Sequence, residues 1–280
     1  MPRYESPYDP STMPRNLEHV IYEKKGHVAY VTLNRPEVRN ALHSYAYAEM
    51  RSCWRDIALD PDVYVGIVTG TGQAFCAGRD VKFLAQYQAQ GTRTPHEDPN
   101  HPLFHWGGGG QPQDVNLEKP LIAAVNGHAL AGGCGLATLC DFTLAVPEAC
   151  FGYTEVRIGF LPAIVSVFLT RQIGDKRARD LLLTGRKISA KEAQQLGLVS
   201  EIVEPEKLMS RASELADYLV EVSPGSLSRA KRLLVTAEQA GVDADLDRAV
   251  LENARIRCTP DFKEGIASFL EKRKPVWKDE

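Results

Sequence analysis

The stretch Leu121-Ile-Ala-Ala-Val-Asn-Gly-His-Ala-Leu-Ala-Gly-Gly-Cys-Gly135 decides the fold of this 280-residue chain. Its first five residues form an unbroken apolar run, which is typical of a short buried strand. The small residues that follow predict a turn and then a helix over Gly132 to Cys140. A further apolar run, Phe142-Thr-Leu-Ala-Val146, predicts the next strand. A strand, a helix and a strand in this order indicate parallel pairing in an α/β protein.

The same order of elements occurs nearer the N-terminus. His27-Val-Ala-Tyr-Val-Thr-Leu33 predicts a strand, and apolar residues at helical spacing predict a helix from Ser44 to Asp60. Val63-Tyr-Val-Gly-Ile-Val-Thr69 predicts a second, more buried strand. In both units a glycine-containing turn follows a strand, and α/β folds place their ligands at such turns.

The chain divides into three parts. Residues 1–17 contain four prolines and predict a flexible arm. Residues 18–203 carry the α/β pattern, interrupted at 88–118 by a polar, glycine-rich stretch that predicts a surface loop beside the site. Residues 204–280 predict a helical region, in which an apolar stripe runs from Leu208 to Leu219.

Composition and charge exclude several classes of protein. Hydrophobic residues make up 44% of the chain, and its net charge is −3. No global basic field draws such a chain to nucleic acid or to an anionic membrane, so a site for a polyanion has to be a local patch. The sequence has no apolar run of membrane-spanning length and no secretory signal at its start, which predicts a cytoplasmic protein.

Cysteines and histidines give no metal site. The six cysteines show no paired CxxC spacing, so we expect reduced, buried thiols, including Cys134 near the predicted turn. His96, His101 and His105 lie in the polar stretch at irregular spacing, and such histidines are commonly solvated.

Two glycine turns carry the predicted chemistry. One is Phe75-Cys-Ala-Gly-Arg-Asp-Val-Lys82, and the other is Asn126 to Gly135. Backbone N–H groups at helix starts bind negative charge, and two such donors aimed at one oxygen form an oxyanion hole. A single glycine turn of this kind usually serves only tight packing, whereas the pair indicates a site.

Together these segments resemble the crotonase superfamily, the enoyl-CoA hydratase/isomerase family. The resemblance runs from about residue 18 to the C-terminus. The segments that carry it are Leu33-Asn-Arg-Pro-Glu-Val-Arg-Asn-Ala-Leu42, Phe75 to Lys82, Ala124 to Cys134, Cys140-Asp141, Glu155-Val-Arg-Ile-Gly159, Leu182-Leu-Thr-Gly-Arg186, Ala193-Gln-Gln-Leu-Gly-Leu-Val199 and Phe269-Leu-Glu-Lys-Arg-Lys274.

The resemblance implies a spiral of ββα units followed by a C-terminal helical trimerisation region, assembled as a homotrimer or a dimer of trimers. It implies that the backbone amides of Arg79 and Gly132 hold the thioester oxygen of an acyl-CoA substrate. No separate cofactor is expected, because coenzyme A arrives as part of the substrate. The residues implied to bind that substrate are Arg39, Ala41, Ala77, Asp80, Val81 and Lys82, with Phe269 and Lys272 reaching the coenzyme A of a neighbouring subunit.

The catalytic carboxylates depart from the family pattern. Hydratases of this family typically use two glutamates, and the first belongs at the position that Gly135 occupies here. The second is present as Glu155, which follows a Phe-Gly step as it does in the family. Another polar group would then have to hold the attacking water, and the candidates are Tyr153, Asp80 and the loop residues His96, Glu97, Asp98, His101 and His105.

Several functions fit this pattern. Hydration of a 2-enoyl-CoA by one glutamate is the first choice, because the segment from Glu155 to Pro162 looks most like hydratases. Double-bond isomerisation is the alternative that the missing glutamate favours, and hydrolysis of the acyl-CoA comes third. A non-catalytic acyl-CoA binding protein is the alternative of a different class. Pro162-Ala-Ile-Val-Ser166 replaces a more glycine-rich helix start of the family and predicts a bulkier substrate end of the pocket.

Overall fold

A computed structural model of the chain describes residues 14, 16–92, 117–239 and 242–277. The arm at 1–17 and the polar stretch at 88–118 therefore lie largely outside the described residues. The strands, in chain order, are β1 (Val20–Lys25), β2 (Val28–Leu33), β3 (Val65–Gly70), β4 (Ala74–Cys76), β5 (Leu121–Val125), β6 (His128–Leu130), β7 (Phe142–Ala145), β8 (Cys150–Gly152), β9 (Ile188–Ser189) and β10 (Glu201–Ile202).

Ten α-helices occur within the described residues. They are α1 (Ser44–Leu59), α2 (Val81–Ala89), α3 (Gly132–Thr138), α4 (Ala163–Ile173), α5 (Asp175–Thr184), α6 (Ala190–Gln195), α7 (Leu208–Val220), α8 (Pro224–Gln239), α9 (Val242–Ile256) and α10 (Pro260–Glu271). Short 3-10 helices cover Pro36–Val38, Glu155–Ile158 and Pro205–Lys207. None of the helices in this part of the chain is both long and apolar enough to cross a membrane.

The strands form two sheets. The larger sheet has the order β1-β2-β3-β5-β7-β10 and is parallel except for the β1–β2 hairpin. The smaller sheet has the order β4-β6-β8-β9, in which β4, β6 and β8 are parallel. Each repeat gives one strand to each sheet and then forms a helix, as in β3-β4-α2 and β5-β6-α3. This confirms the predicted α/β spiral of ββα units.

Burial explains why the predicted strands and helices form. All five side chains of β5 are buried, because the strand has neighbours on both edges and helices on its faces. Helix α1 buries Met50, Trp54 and Ile57 along one side, at the predicted spacing. On the predicted stripe of α7, Leu208, Ala212, Ala216 and Leu219 are buried, and α7 packs on the large sheet.

The structure corrects two expectations. Helix α3 ends at Thr138 rather than Cys140, because the chain turns before Asp141. At this turn the Asp141 carboxylate accepts a hydrogen bond from the Leu121 amide at 2.7 Å. Not all cysteines are buried: Cys150 is half-buried and Cys258 is exposed, whereas the other four are buried. The chain between α9 and α10 runs over the surface at Cys258, which explains its exposure.

Helix α10 lies directly against the 3-10 helix that begins at Glu155. A Cβ added to Gly265 would lie 2.1 Å from the carbonyl oxygen of Ile158, and one added to Gly159 would lie 2.4 Å from that of Asp261. Such distances leave no room for a side chain. The two glycines therefore allow the backbones to touch, and this contact closes one side of the cavity described below.

We expect Gly265→Ala to lower the free energy of unfolding by about 1–3 kcal/mol, because its methyl group would overpack a backbone that cannot retreat. Gly225→Ala in α8 is the matched control, since among the described residues the new methyl group meets only the flexible end of Arg229, at 3.2 Å. Alanine favours a helix by up to about 1 kcal/mol over glycine, so the control should be neutral or stabilising. Chemical denaturation measures both, and equal effects would contradict the packing argument.

Candidate active site

A cavity of about 790 Å³ lies between the two glycine turns, the segment around Glu155 and helix α10. Ten of the eleven site residues predicted from the sequence line it. They are Arg39, Ala41, Ala77, Arg79, Asp80, Val81, Lys82, Gly132, Glu155 and Phe269. The eleventh, Lys272, is exposed at the end of α10 and does not line the cavity. Phe269 lines the cavity of its own chain, and its contact with a neighbouring subunit stays a prediction.

The small sheet brings the three predicted catalytic positions together. Arg79 follows β4, Gly132 follows β6 and Glu155 follows β8. These three strands are parallel neighbours, so their carboxyl ends meet at one edge of the sheet. In parallel sheets, ligands bind at this edge, next to the helix starts and loops that follow the strands.

The first turn is held by a buried asparagine. The Asn40 side chain donates to the carbonyl oxygens of Thr71 and Ala74 at 2.9 and 2.8 Å and accepts from the Arg35 amide at 2.8 Å. The backbone then forms three more bonds, in which Ala77 donates to Arg39, Leu42 to Gly78 and Asp80 to Leu42. These bonds fix the path of the chain through Arg79.

The second turn is strained and touches the first. Ala131 has φ 50° and ψ −126°, a conformation that a residue with a Cβ rarely adopts. It precedes the first residue of α3, Gly132, whose N–H has no acceptor within the helix because it lies in the first turn. A Cβ added to Gly78 would lie 2.8 Å from the Leu130 oxygen and 3.2 Å from the Gly132 nitrogen. The two predicted oxyanion turns are therefore in direct contact.

Glu155 is a buried carboxyl group on the cavity wall. Its residue is 7% exposed, and its Oε2 atom is buried without a hydrogen-bond partner among the described residues. Burial raises its pKa to about 7, since the charged form loses its hydration. A carboxyl group with this pKa can both accept and return a proton near neutral pH.

The raised pKa predicts a pH-dependent stability. An unfolded glutamate titrates near 4.5 and the folded one near 7, so between these values the folded state binds more protons and loses stability as pH rises. We therefore expect Glu155→Gln to become more stabilising, relative to wild type, by up to about 3 kcal/mol between pH 4.5 and about pH 8. Urea unfolding across this range measures the difference, and a flat difference would contradict the raised pKa.

Gly135 faces a side chain of α4. A Cβ added to Gly135 would lie 2.9 Å from Cγ2 of Val165, and both residues line the cavity. The position at which the family places its first glutamate is therefore covered by an apolar group. Ala163, Ile164 and Val165 all line the cavity, as the bulkier sequence of this segment predicts.

Of the residues proposed to hold the attacking water, Asp80 and Tyr153 form other hydrogen bonds. The Asp80 carboxylate accepts from the Phe83 amide at 3.1 Å, which caps α2, and pairs with Arg35 at 3.1 Å. Tyr153 is fully buried, shares a hydrogen bond of 2.9 Å with Thr138 and does not line the cavity. That role is wrong for Tyr153, because its hydroxyl lies in the core. The loop candidates His96, Glu97, Asp98, His101 and His105 lie outside the described residues.

Cys134 is a buried thiol, as predicted. Burial raises its pKa to about 12, so it carries no nucleophilic thiolate near neutral pH. Within the described ranges no three His, Cys, Asp or Glu side chains form a group that could hold a metal ion.

The cavity wall is a local basic patch on an acidic protein. Among the described residues, seven arginine and lysine residues line it against three acidic residues. The basic residues are Arg39, Arg79, Lys82, Arg157, Lys187, Arg257 and Arg273, and the acidic ones are Glu37, Asp80 and Glu155. This excess of positive charge suits an anionic ligand, in agreement with the expected local patch.

Asn253 and Arg257 are among the lining residues that were not found from the sequence. Asn253 and Arg257 come from α9 and the turn after it, about a hundred residues from Glu155 in the chain. Helix α9 packs against α4, which carries the two residues to the cavity. They belong to no local motif, and the sequence around them predicts only an ordinary amphipathic helix.

Comparisons with known proteins agree with this geometry. The model of the enoyl-CoA hydratase/isomerase family matches residues 23–280. A protein of Thermus thermophilus, provisionally named an enoyl-CoA hydratase, is 42% identical over 91% of this chain and 99% of its own length. The (E)-benzylidenesuccinyl-CoA hydratase of Thauera aromatica is 36% identical over 92% of this chain and 98% of its own.

The solved structures include a carnitinyl-CoA hydratase from Mycobacterium avium. It is 33% identical, covers 93% of this chain and 98% of its own, and has a TM-score of 0.80. The family match spans more than nine-tenths of the chain and includes the cavity residues. The chain therefore belongs to the enoyl-CoA hydratase/isomerase family.

Proposed function

We propose that this protein hydrates the double bond of a 2-enoyl-CoA with Glu155 as its single catalytic carboxylate. The observation that carries the proposal is the buried Oε2 of Glu155, which has no hydrogen-bond partner in the described part of the chain and lies on the wall of a cavity that Arg79 and Gly132 also line. The names of the relatives, which include hydratases of two different acyl-CoA thioesters, support hydration over other reactions of the family.

In this mechanism Glu155 acts first as a base and then as an acid. The ionised carboxylate removes a proton from water while the water oxygen bonds to the β carbon of the thioester. The electrons of the double bond move to the thioester oxygen, where the amides of Arg79 and Gly132 stabilise the enolate. Glu155 then returns its proton to the α carbon. The products are the 3-hydroxyacyl-CoA and the enzyme in its starting state.

The substrate's coenzyme A would occupy the basic part of the cavity. Arg39 and Lys82 line the cavity on the first turn, whose chain path is fixed by Asn40, and their positive charges would attract its phosphate groups. Ala41, Ala77 and Val81 line the same wall, along which the thioester arm would lie. No further cofactor takes part in the proposed reaction.

A second candidate is double-bond isomerisation. The observation that favours it is the contact between Gly135 and Val165, which covers the place of a second carboxylate. An isomerase needs one group to carry a proton between two carbons of the acyl chain, and Glu155 alone can do so. Hydrolysis of the thioester and binding without turnover are the remaining alternatives.

Crotonyl-CoA and 3-hexenoyl-CoA separate these functions. A hydratase removes the conjugated-thioester absorbance of crotonyl-CoA and forms 3-hydroxybutyryl-CoA. An isomerase creates that absorbance from 3-hexenoyl-CoA, and a hydrolase releases free thiol from either. Turnover of 3-hexenoyl-CoA alone would replace the proposed function by isomerisation, and binding without any product would support the non-catalytic alternative.

We also propose assembly as a homotrimer or a dimer of trimers in the cytoplasm. Large apolar side chains are exposed on the outer helices, among them Leu183, Tyr218, Leu233 and Leu234, each at least 67% exposed in the single chain. Such exposure suits burial between subunits. Sedimentation analysis measures the assembly directly.

A further inference from the structure

An arginine outside the cavity joins two parts of its wall. Arg35 is mostly buried and does not line the cavity. Its Nη1 and Nη2 atoms both donate to Oδ2 of Asp80 at 3.1 Å, and Nη1 also donates to the carbonyl oxygen of Ala41. Asp80 and Ala41 both line the cavity. One guanidinium group therefore connects the two glycine-turn segments that meet at the proposed oxyanion hole.

The Arg79 amide lies in the short bridge that these bonds enclose. Leu42 and Arg79 form a parallel β-bridge. The Leu42 N–H donates to Gly78 at 2.8 Å, and the Asp80 N–H donates to Leu42 at 2.9 Å. In a parallel bridge with these two bonds, the N–H of the residue between them points away from the partner strand. Because Ala41 and Asp80 are the neighbours of the two bridged residues, a shift of either would rotate the Arg79 peptide group.

Asn40 and Arg35 hold different ends of the turn. The Asn40 side chain binds backbone oxygens that precede Arg79 in the chain. The Arg35 side chain binds Asp80, which follows Arg79. The other carboxylate oxygen of Asp80 caps α2, so the position of Asp80 also sets where that helix begins. Loss of Arg35 would therefore release the end of the turn and leave its beginning in place.

Burial makes this ion pair a strong positional constraint. The side chains of Arg35 and Asp80 are only 14% and 11% exposed. Without Arg35, the Asp80 carboxylate would be left poorly hydrated and would turn toward water, which moves the backbone next to Arg79. A misplacement of about 1 Å in a catalytic arrangement can cost about 10²-fold in rate. The pair is therefore placed to affect the reaction without contacting the substrate.

We infer that Arg35 is a positioning residue for the oxyanion hole. Through its bonds to Asp80 and Ala41, it sets the direction of the backbone amide at Arg79. The inference rests on the proposed function in taking this amide as a donor to the thioester oxygen. It applies to hydration and isomerisation alike, because both place negative charge on that oxygen.

Acetoacetyl-CoA is a probe of this role that needs no turnover. Its α carbon lies between two carbonyl groups, so it ionises to an enolate that absorbs ultraviolet light, and it has no double bond to hydrate. An oxyanion hole stabilises the enolate and so increases the ionisation constant of the bound ligand over that of the free one. Titrating the absorbance of the bound ligand against pH measures this constant.

Arg35→Met should lower the ionisation constant of bound acetoacetyl-CoA at least about tenfold toward the free value. For crotonyl-CoA we expect kcat to fall by about 10–100-fold, with KM within about threefold of wild type. Arg35→Lys should lie between the two proteins, because a lysine keeps the charge but lacks the planar fork. An unfolded fraction would lower the number of binding sites and leave the constant of the bound ligand unchanged, which separates positioning from stability.

Arg211→Met is the control for the loss of an arginine ion pair. The Arg211 Nε donates to both carboxylate oxygens of Glu201, at 2.9 and 3.1 Å, and neither residue lines the cavity. This variant should keep the wild-type values of kcat and of the ionisation constant.

Asp80→Asn tests the route of the effect. The asparagine keeps an oxygen that can cap α2 and loses the charge that Arg35 holds. If Arg35 acts through Asp80, the double variant should lose less than the product of the two single losses. A loss equal to that product would mean that the two residues act independently, against the inference.

Two further results would overturn the inference. One is an ionisation constant in the wild type no higher than that of free acetoacetyl-CoA. The other is a constant in Arg35→Met within about twofold of wild type, which would leave Arg35 a purely structural residue. If the wild type converts neither crotonyl-CoA nor 3-hexenoyl-CoA, the proposed function fails, whereas the bound enolate still decides the role of Arg35.

Discussion

Glu155→Gln should lower kcat for the hydration of crotonyl-CoA by about 10³-fold, within the range that general acid–base groups contribute. Glutamine has the shape of glutamate and leaves the cavity intact, but its amide cannot take a proton from water or return one to carbon. Because the rest of the cavity wall is unchanged, KM should stay within a few-fold of wild type. Steady-state loss of the conjugated-thioester absorbance measures both constants.

The control is Glu206→Gln. Glu206 also lies in a short 3-10 helix, Pro205–Lys207, but is exposed and does not line the cavity. Its variant should retain full activity. If Glu155→Gln kept more than about a tenth of the wild-type kcat, the assignment of the acid and base to Glu155 would be wrong.

The pH profile of the wild type gives the same assignment a second test. The mechanism needs the ionised carboxylate, and the pKa of Glu155 is raised to about 7 by burial. We therefore expect kcat/KM to fall tenfold per pH unit below about pH 7 and to reach a plateau above it. A break near pH 4.5, the ordinary glutamate value, would show that the acting carboxyl group is not a buried one.

The sequence predicted β2, β3, β5 and β7 of the large sheet, missed β1 and β10 at its two edges, and missed most of the small sheet. The strand at Leu121–Val125 was predicted to the residue because five apolar residues in a row suit a strand buried on both faces. Strands β4, β6 and β8 have three residues each. A strand of three residues with glycines near its ends has the sequence pattern of a turn. Yet the carboxyl ends of these three strands place Arg79, Gly132 and Glu155 beside one another.

The candidate site shows the same division between local and distant information. Ten of the residues that line the cavity could be predicted, because they belong to short segments that match motifs of the family. The contact between Gly135 and Val165 joins residues thirty positions apart, and the approach of Arg257 to Phe160 joins residues almost a hundred apart. Both depend on how α4 and α9 pack, which no local pattern in the sequence specifies.

Gly78→Ala should lower kcat by about 10²–10³-fold, the cost of losing one oxyanion donor. The new methyl group would lie 2.8 Å from both the Leu130 oxygen and the Ala131 Cβ, so it would push the two turns apart. The amide of Gly132 would then move away from the enolate oxygen. Substitutions of the Arg79 side chain leave its amide in place, so this backbone change is the more informative test of the oxyanion hole.

Gly197→Ala separates this displacement from the general cost of a left-handed residue. Gly197 has the same φ as Gly78, +85°, and, apart from its chain neighbours, no atom of the described residues lies within 4 Å of the place where its Cβ would stand. Both variants therefore lose about 1–2 kcal/mol of stability to backbone strain, but only Gly78→Ala disturbs the site. We expect Gly197→Ala to keep wild-type kcat at a temperature where both variants are folded. Equal activity of the two variants would mean that the contact between the turns does not position the amide of Gly132, and the oxyanion hole would have to be sought elsewhere on the cavity wall.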